Sequence, residues 1–138
     1  MADTLQLELV SPEKLILSVN VEMVVVPGSE GDFGVLPLHV PLLSSLRSGL
    51  VDVYKEGRQL ADSYFVAGGF AEVTRESCTV LVSEAVPVDH LTPAYVKGYQ
   101  DTAERLLDHA STNEEHIEAQ NAVKLADQIA SIAAKNRA

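Results

Sequence analysis

The chain has 138 residues, of which 46% are hydrophobic and 22% charged, and a formal net charge of −10. That length holds one domain or two small ones, and the composition is that of a folded globular chain. The acidic balance argues against binding nucleic acid phosphates or anionic lipid head groups, both of which need clustered Lys and Arg.

From Leu5 the pattern alternates, with Leu5, Leu7 and Leu9 on one face and Gln6 and Glu8 on the other, the period-2 signature of a half-buried strand. Ser11-Pro12-Glu13 stops it, and the apolar, β-branched runs Leu15 to Val19 and Val21 to Val26 predict two more strands. The stretch from Pro27 to Leu43 then packs three glycines and three prolines among bulky apolar side chains. It predicts a shaped loop, since flexible linkers are poor in apolar residues. Val35, Leu36, Leu38, Val40, Leu42 and Leu43 need burial by the fold or by a partner. Glycines 28, 31 and 34 flank an acidic tip, Glu30 and Asp32, and the prolines fix φ around it, so the tip is expected to be tight and pre-ordered.

Beyond the loop, Gly49 to Lys55 alternates, Glu56-Gly57 reads as a hairpin turn, and Gln59 to Val66 as the returning strand. Gly68-Gly69 and Arg75-Glu76-Ser77 punctuate two further runs, Phe70 to Thr74 and Cys78 to Ser83. Turn signals at this spacing predict a β-sandwich over residues 1–87. After Pro87 the period changes. Thr92-Pro93 reads as an N-cap followed by proline in the first helical turn, and Tyr95, Tyr99, Ala103, Leu106 and Ala110 make one stripe of a helix from Pro93 to His109. Thr112 and Glu115 form a capping box for a second helix reaching about Ala134, with Ala119, Ala122, Ala126, Ile129 and Ala133 along its apolar face. The expected fold is therefore an all-β N-terminal sandwich plus a C-terminal α-helical hairpin, with the domain boundary at residues 87–88. Residues 1–90 carry 13 acidic and 5 basic side chains, residues 91–138 carry 7 and 5, so the helical part is nearly balanced. A hairpin this small buries too little to be robust alone, which leaves room for switching.

The chemistry-bearing residues are sparse. His39, His90, His109 and His116 lack zinc-site spacing, and the strand region is too poor in histidine for a cupin metal centre. No nucleophile elbow, Walker loop or dinucleotide fingerprint is present. No catalytic residue, cofactor or metal is expected. Cys78, the single cysteine, reads as a small packed side chain and excludes an intramolecular disulfide. No signal-peptide pattern opens the chain and no apolar run approaches the ~20 residues of a membrane span, so a cytoplasmic protein without direct membrane insertion is expected.

The run Gly28-Ser29-Glu30-Gly31-Asp32-Phe33-Gly34-Val35-Leu36-Pro37-Leu38-His39-Val40-Pro41-Leu42 resembles the signature loop of the epsilon subunits of rotary F-type ATP synthases. That loop commonly reads Gly-x-Glu-Gly-Glu/Asp-hydrophobic-Gly, two hydrophobic residues, then Pro-Gly-His-Ala-Pro-Leu. Leu38 stands where the family usually has Gly, and Val40 where it usually has Ala, which predicts a less free backbone around His39. Arg47-Ser48-Gly49-Leu50-Val51 and Gly68-Gly69-Phe70-Ala71-Glu72-Val73 extend the resemblance, which covers almost the whole chain.

The resemblance implies a non-catalytic rotor subunit that binds the gamma subunit and the ring of c subunits, with the helices regulatory and able to reach the alpha/beta catalytic head. It implies a place on the cytoplasmic face of the cell inner membrane, held there by the complex. It also implies partner-binding roles for Glu30, Asp32, Phe33, Leu36, His39, Pro41 and Leu42. Taken alone, His39 reads equally as a loop imidazole satisfied by nearby backbone, and an acidic tip as solvated turn residues. A competing reading is an autonomous nucleotide-sensing or ligand-binding β-sandwich module, since some family members hold ATP through a motif resembling Ile/Leu-Asp-x-x-Arg-Ala. Here Thr92 replaces the Asp and Tyr95 the Arg, leaving no cation for phosphate. A β-sandwich enzyme or sugar-binding domain is the remote third.

Overall fold

The computed structural model describes residues 4–55, 57 and 59–137. It divides into two compact units, one ending at Pro87 and the other beginning at Val88.

In the first unit, β1 (Leu5–Val10) buries Leu5, Leu7 and Leu9, the phase that the alternation predicts. It lies between an antiparallel β2 (Leu15–Val21), with Leu7 opposite Val19, and a parallel β7 (Ser77–Val82), with Leu7 opposite Cys78. β3 (Met23–Gly28) and β4 (Gly31–Val35) form a hairpin closed by Ser29 and Glu30. β5 (Leu42–Lys55) and β6 (Gln59–Val73) are long strands that pair from Leu42 opposite Val73 to Lys55 opposite Gln59. A short β8 (Ala85–Pro87) pairs with β6 at Tyr64 to Val66.

The hydrogen-bonded order is β2-β1-β7-β6-β5-β3-β4. Residues 69–73 of β6 pair with β7, whereas residues 64–66 pair with β8, so β6 contributes to both layers of the sandwich. The strand turns the corner at Gly68 and Gly69, which have φ of 97° and 146°. Strands that switch layers need such a bend. Gly68-Gly69 therefore joins two runs that the sequence pattern separates, because a glycine pair at positive φ can bend a strand as well as end one. Between the layers sit Leu5, Leu7, Leu9, Val24, Val26, Val35, Val51, Val53, Val66, Ala71, Val80 and others, with no polar or charged residue buried among the described residues. Each such Val or Leu is worth about 1.5–3 kcal/mol of burial.

The stretch predicted as one shaped loop is more regular than expected. Its first part is the β3–β4 hairpin, with Phe33 half-buried and Val35 buried on one phase and Asp32 and Gly34 exposed on the other; only residues 36–41 are loop, and Leu42 and Leu43 already belong to β5. The glycines hid a period-2 pattern. Of the predicted Glu56-Gly57 turn, Glu56 lies outside the described residues.

The second unit opens with a 3-10 turn, Val88–His90, followed by α1 (Pro93–His109) and α2 (Asn113–Arg137). Thr92 caps α1, its Oγ1 accepting from the Tyr95 amide at 3.2 Å. Ala103 and Val96 of α1, and Ala119, Ala126, Ile129 and Ala133 of α2, are buried, as a hairpin packed along its alanine stripe requires. Asn136 Nδ2 donates to Asp89 Oδ1 at 3.3 Å, tying the end of α2 to the 3-10 turn.

Candidate functional site

The β3–β4 tip is the most constrained polar feature of the sandwich. Gly28 pairs with Gly31, and Pro27 with Asp32, so the two carboxylates of Glu30 and Asp32 stand at the end of a regular hairpin. Gly31 takes φ 144°, which a residue with a Cβ rarely adopts. The amide of Ser29 donates to the Ser45 carbonyl at 2.9 Å, resting the tip on β5. From β5 the Arg47 guanidinium reaches the hairpin, donating through Nη1 to the Gly28 carbonyl at 2.6 Å and through Nη2 to Asp32 Oδ1 at 2.6 Å. Asp32 is thus ion-paired to Arg47 while its side chain stays 60% exposed to solvent. Among the described residues Glu30 has no ion-pair partner.

The loop after β4 lies at the end of the sandwich where β5 begins. Leu38 donates its amide to the Arg75 carbonyl in the β6–β7 turn at 2.8 Å, and His39 donates its amide to the Leu36 carbonyl at 3.1 Å. Leu38 has φ of 68°, alone among the described non-glycine residues in the left-handed region. That conformation costs a side-chain-bearing residue about 1–2 kcal/mol, so Leu38 holds this bend under strain that a glycine would not feel. The half-buried His39 ring places Nδ1 2.6 Å from the Val40 carbonyl, an oxygen that can only accept, so Nδ1 carries the proton. The imidazole is thus satisfied on one nitrogen by backbone. No hydrogen bond or ion pair joins it to the acidic tip among the described residues.

The apolar side chains of this end divide sharply. Val35 is buried by the fold, whereas Leu36, Leu38, Val40, Leu42 and Leu43 are exposed, Val40 to 75% and Leu43 to 67%. Pro41 is exposed as well and Phe33 is half-buried. A cluster of this kind on an ordered surface marks an interaction site. The structure therefore brings Glu30, Asp32 and Phe33 together in the hairpin, and Leu36, His39, Pro41 and Leu42 in the adjoining loop and strand start.

Two features escaped the sequence reading. Arg47 is one. The other is a cross-strand row on the outer face of the sheet, where Phe70 pairs with Leu81, Leu81 with Val10 and Val10 with Leu15, and where Phe70, Leu81 and Leu15 are exposed. The signal was present: Phe70 and Leu81 fall out of phase with the core positions Ala71, Val73, Val80 and Val82. A hollow of about 530 Å³ beside this row is lined by Val10, Ser11, Pro12, Leu81, Val82 and Ser83, none of them ionisable.

Among the described residues nothing in this arrangement pairs a nucleophile with a base. Burial pushes the Cys78 thiol up to about 12, which keeps it protonated and inert. Among the described residues no group of three His, Cys, Asp or Glu side chains could hold a metal ion, and no helix is long and apolar enough to cross a membrane. At the nucleotide motif, Thr92 is occupied as a helix cap and Tyr95 lies against Tyr99, ring centroids 5.4 Å apart.

The family model described as "ATP synthase, Delta/Epsilon chain, beta-sandwich domain" matches residues 4–88. The chain is 44% identical over 134 residues to the ATP synthase epsilon chain of Paramagnetospirillum magneticum, an alignment covering 97% of this chain and 100% of that one. It is 46% identical over 129 residues to the ATP synthase epsilon chain of Rhodospirillum rubrum, covering 94% and 96%. Among solved structures, a chain of the Euglena gracilis mitochondrial ATP synthase superposes with a TM-score of 0.77 at 23% identity, covering 95% of this chain and 82% of that one. A chain of the Tetrahymena thermophila mitochondrial ATP synthase central stalk and c-ring gives 0.69 at 13% identity, covering 94% and 96%. Those two likenesses speak to the fold; the sequence matches extend through the helices, and the chain belongs to the ATP synthase epsilon chain family.

Proposed function

We propose that the chain is a non-catalytic central-stalk subunit of a bacterial-type ATP synthase, which binds the gamma subunit and sits on the c-subunit ring. Its work is mechanical: ion-driven rotation of the ring passes through it and gamma to the catalytic head. A rigid sandwich with an apolar core resists shear, and torque crosses its contacts by packing instead of by chemistry. What carries this reading is the end of the sandwich where a clamped acidic hairpin adjoins an ordered loop with exposed Leu36, Leu38, Val40, Leu42 and Leu43. Glu30, Asp32, Phe33, Leu36, His39, Pro41 and Leu42 form the ring-facing contact in this reading. The helical unit is a regulatory element that can meet the alpha/beta head. The protein is peripheral, held at the cytoplasmic face of the inner membrane through the complex.

Affinity capture of the tagged full-length chain from detergent-solubilised membranes, followed by mass spectrometry of its companions, tests the assignment. Gamma, c and the catalytic subunits are expected in fixed ratio. Recovery of the chain alone, or with an unrelated set of proteins, overturns it.

A further inference from the structure

We infer that Arg47 is the positioning residue of the ring-facing contact and that Asp32 serves it as an anchor. This rests on the reading that the hairpin tip meets a partner. Gly28 and Asp32 lie on opposite strands of the β3–β4 hairpin, so the two Arg47 bonds tie both strands to β5 at once. A guanidinium fork is suited to two acceptors in fixed directions; an ammonium is not. The backbone does only part of this task. The β3–β5 ladder shifts register between Val25 and Gly28, immediately before the tip, and Arg47 falls at the step that the β5–β6 ladder skips between Leu46 opposite Gly69 and Ser48 opposite Ala67. Beyond the break the tip is held by the Gly28–Leu46 pairing, the bond from Ser29 to Ser45, and the guanidinium.

Charge follows the same division. The guanidinium offsets the Asp32 carboxylate, so Glu30, Asp32 and Arg47 together carry a net charge of −1, centred on the Glu30 side chain beyond the clamp. An unclamped tip samples other poses, and an affinity measured on a mixture is divided by the fraction in the competent pose; a tip seated a tenth of the time binds about tenfold more weakly.

The test uses membranes carrying the ATP synthase but stripped of this chain, titrated with purified full-length variants. It reads the half-saturating concentration that restores ATP-driven proton pumping, together with hydrogen exchange of the Ser29 amide. Arg47→Ala is expected to raise half-saturation about tenfold and to speed Ser29 exchange, with Leu7 in β1 still protected. Asp32→Asn keeps an oxygen for the guanidinium, so it should lose less affinity than Arg47→Ala and leave Ser29 exchange unchanged. Glu30→Gln should weaken binding with Ser29 exchange unchanged. A large loss in Asp32→Asn at unchanged Ser29 exchange would mean that the partner reads Asp32 directly, and unaltered binding of Arg47→Ala would remove the positioning role; either overturns the inference. If Glu30→Gln weakens binding and Arg47→Ala does not, the contact stands and only the positioning fails. If neither these nor Glu30→Lys and His39→Ala shift half-saturation, the contact reading itself fails. Should Arg47→Ala not fold, Arg47→Gln, which keeps a donor but not the fork, takes its place with the same two readings.

Discussion

Gly69 lies directly against the backbone carbonyl of Leu81, in the space that a Cβ on residue 69 would occupy, and it holds φ at 146° there. Two constraints meet at this position: β6 must bend between layers, and β7 must pass beside the bend. A methyl group satisfies neither. Gly69→Ala is expected to cost about 2–4 kcal/mol, from overlap with β7 and strained φ together. Denaturant unfolding of the full chain reads it, and a loss under about 0.5 kcal/mol, the size of an ordinary surface change, would show that β6 has another way round the corner.

That bend also marks where sequence reasoning stopped. Leu5, Leu7 and Leu9, or Val51 and Val53, announce a buried face through neighbours two residues apart, and the Thr112–Glu115 capping box lies within one helical turn; such signals are local and were legible. Whether Gly68-Gly69 ends a strand or bends one depends on β7, which comes later in the chain and packs beside it. The Arg47–Asp32 pair spans 15 residues and exists only once the hairpin folds back on β5. At Leu38 the resemblance pointed to a constrained backbone, but not to the positive φ of 68°, which leucine rarely adopts.

The α2 cap should respond to acid. Glu115 accepts from Ser111 Oγ at 3.0 Å, from the Thr112 amide at 3.2 Å and from the Ser111 amide at 3.4 Å, and donates its own amide to Thr112 Oγ1 at 3.1 Å. Hydrogen bonds from Ser111 first, then Thr112, hold the carboxyl below the usual glutamate value. A depressed acid stabilises the folded form above its unfolded pKa, and that contribution is lost as the pH falls through the folded value. Helicity of the full chain should therefore weaken on acidification below the glutamate range, and Glu115→Gln should remove this part of the acid sensitivity while lowering stability at neutral pH. An identical acid profile for the two proteins would contradict the capping role.

Nucleotide binding by the isolated chain should be weak. Thr92 is engaged as the α1 cap and Tyr95 offers no cation, so ATP should bind no tighter than about millimolar, roughly −4 kcal/mol. Titration calorimetry decides it. Micromolar binding would place the phosphates on another basic residue, with Arg105 the first to substitute.

The hairpin should be a weak brake. Pulling α2 from α1 exposes Ala119, Ala126, Ile129 and Ala133, of which Ile129 alone is worth about 2–3 kcal/mol. Exposed Lys124 and Lys135, beside Glu114, Glu115, Glu118 and Asp127, return at most about 1 kcal/mol for each surface ion pair made elsewhere. The side chain of Arg137 lies outside the described residues. The compact hairpin is therefore favoured, and truncation after Val88 should raise ATP hydrolysis by the assembled enzyme by no more than about threefold, under 1 kcal/mol. A tenfold or greater rise would show that the extended state draws on contacts other than these charges.

Coupling is the property that the account must explain, and proton pumping per ATP hydrolysed is its direct measure. Membranes stripped of this chain should hydrolyse ATP with little pumping, and the purified full-length chain, which should hydrolyse no ATP by itself, should restore the ratio. Pumping that is undiminished by removal of the chain would contradict its place in the rotor.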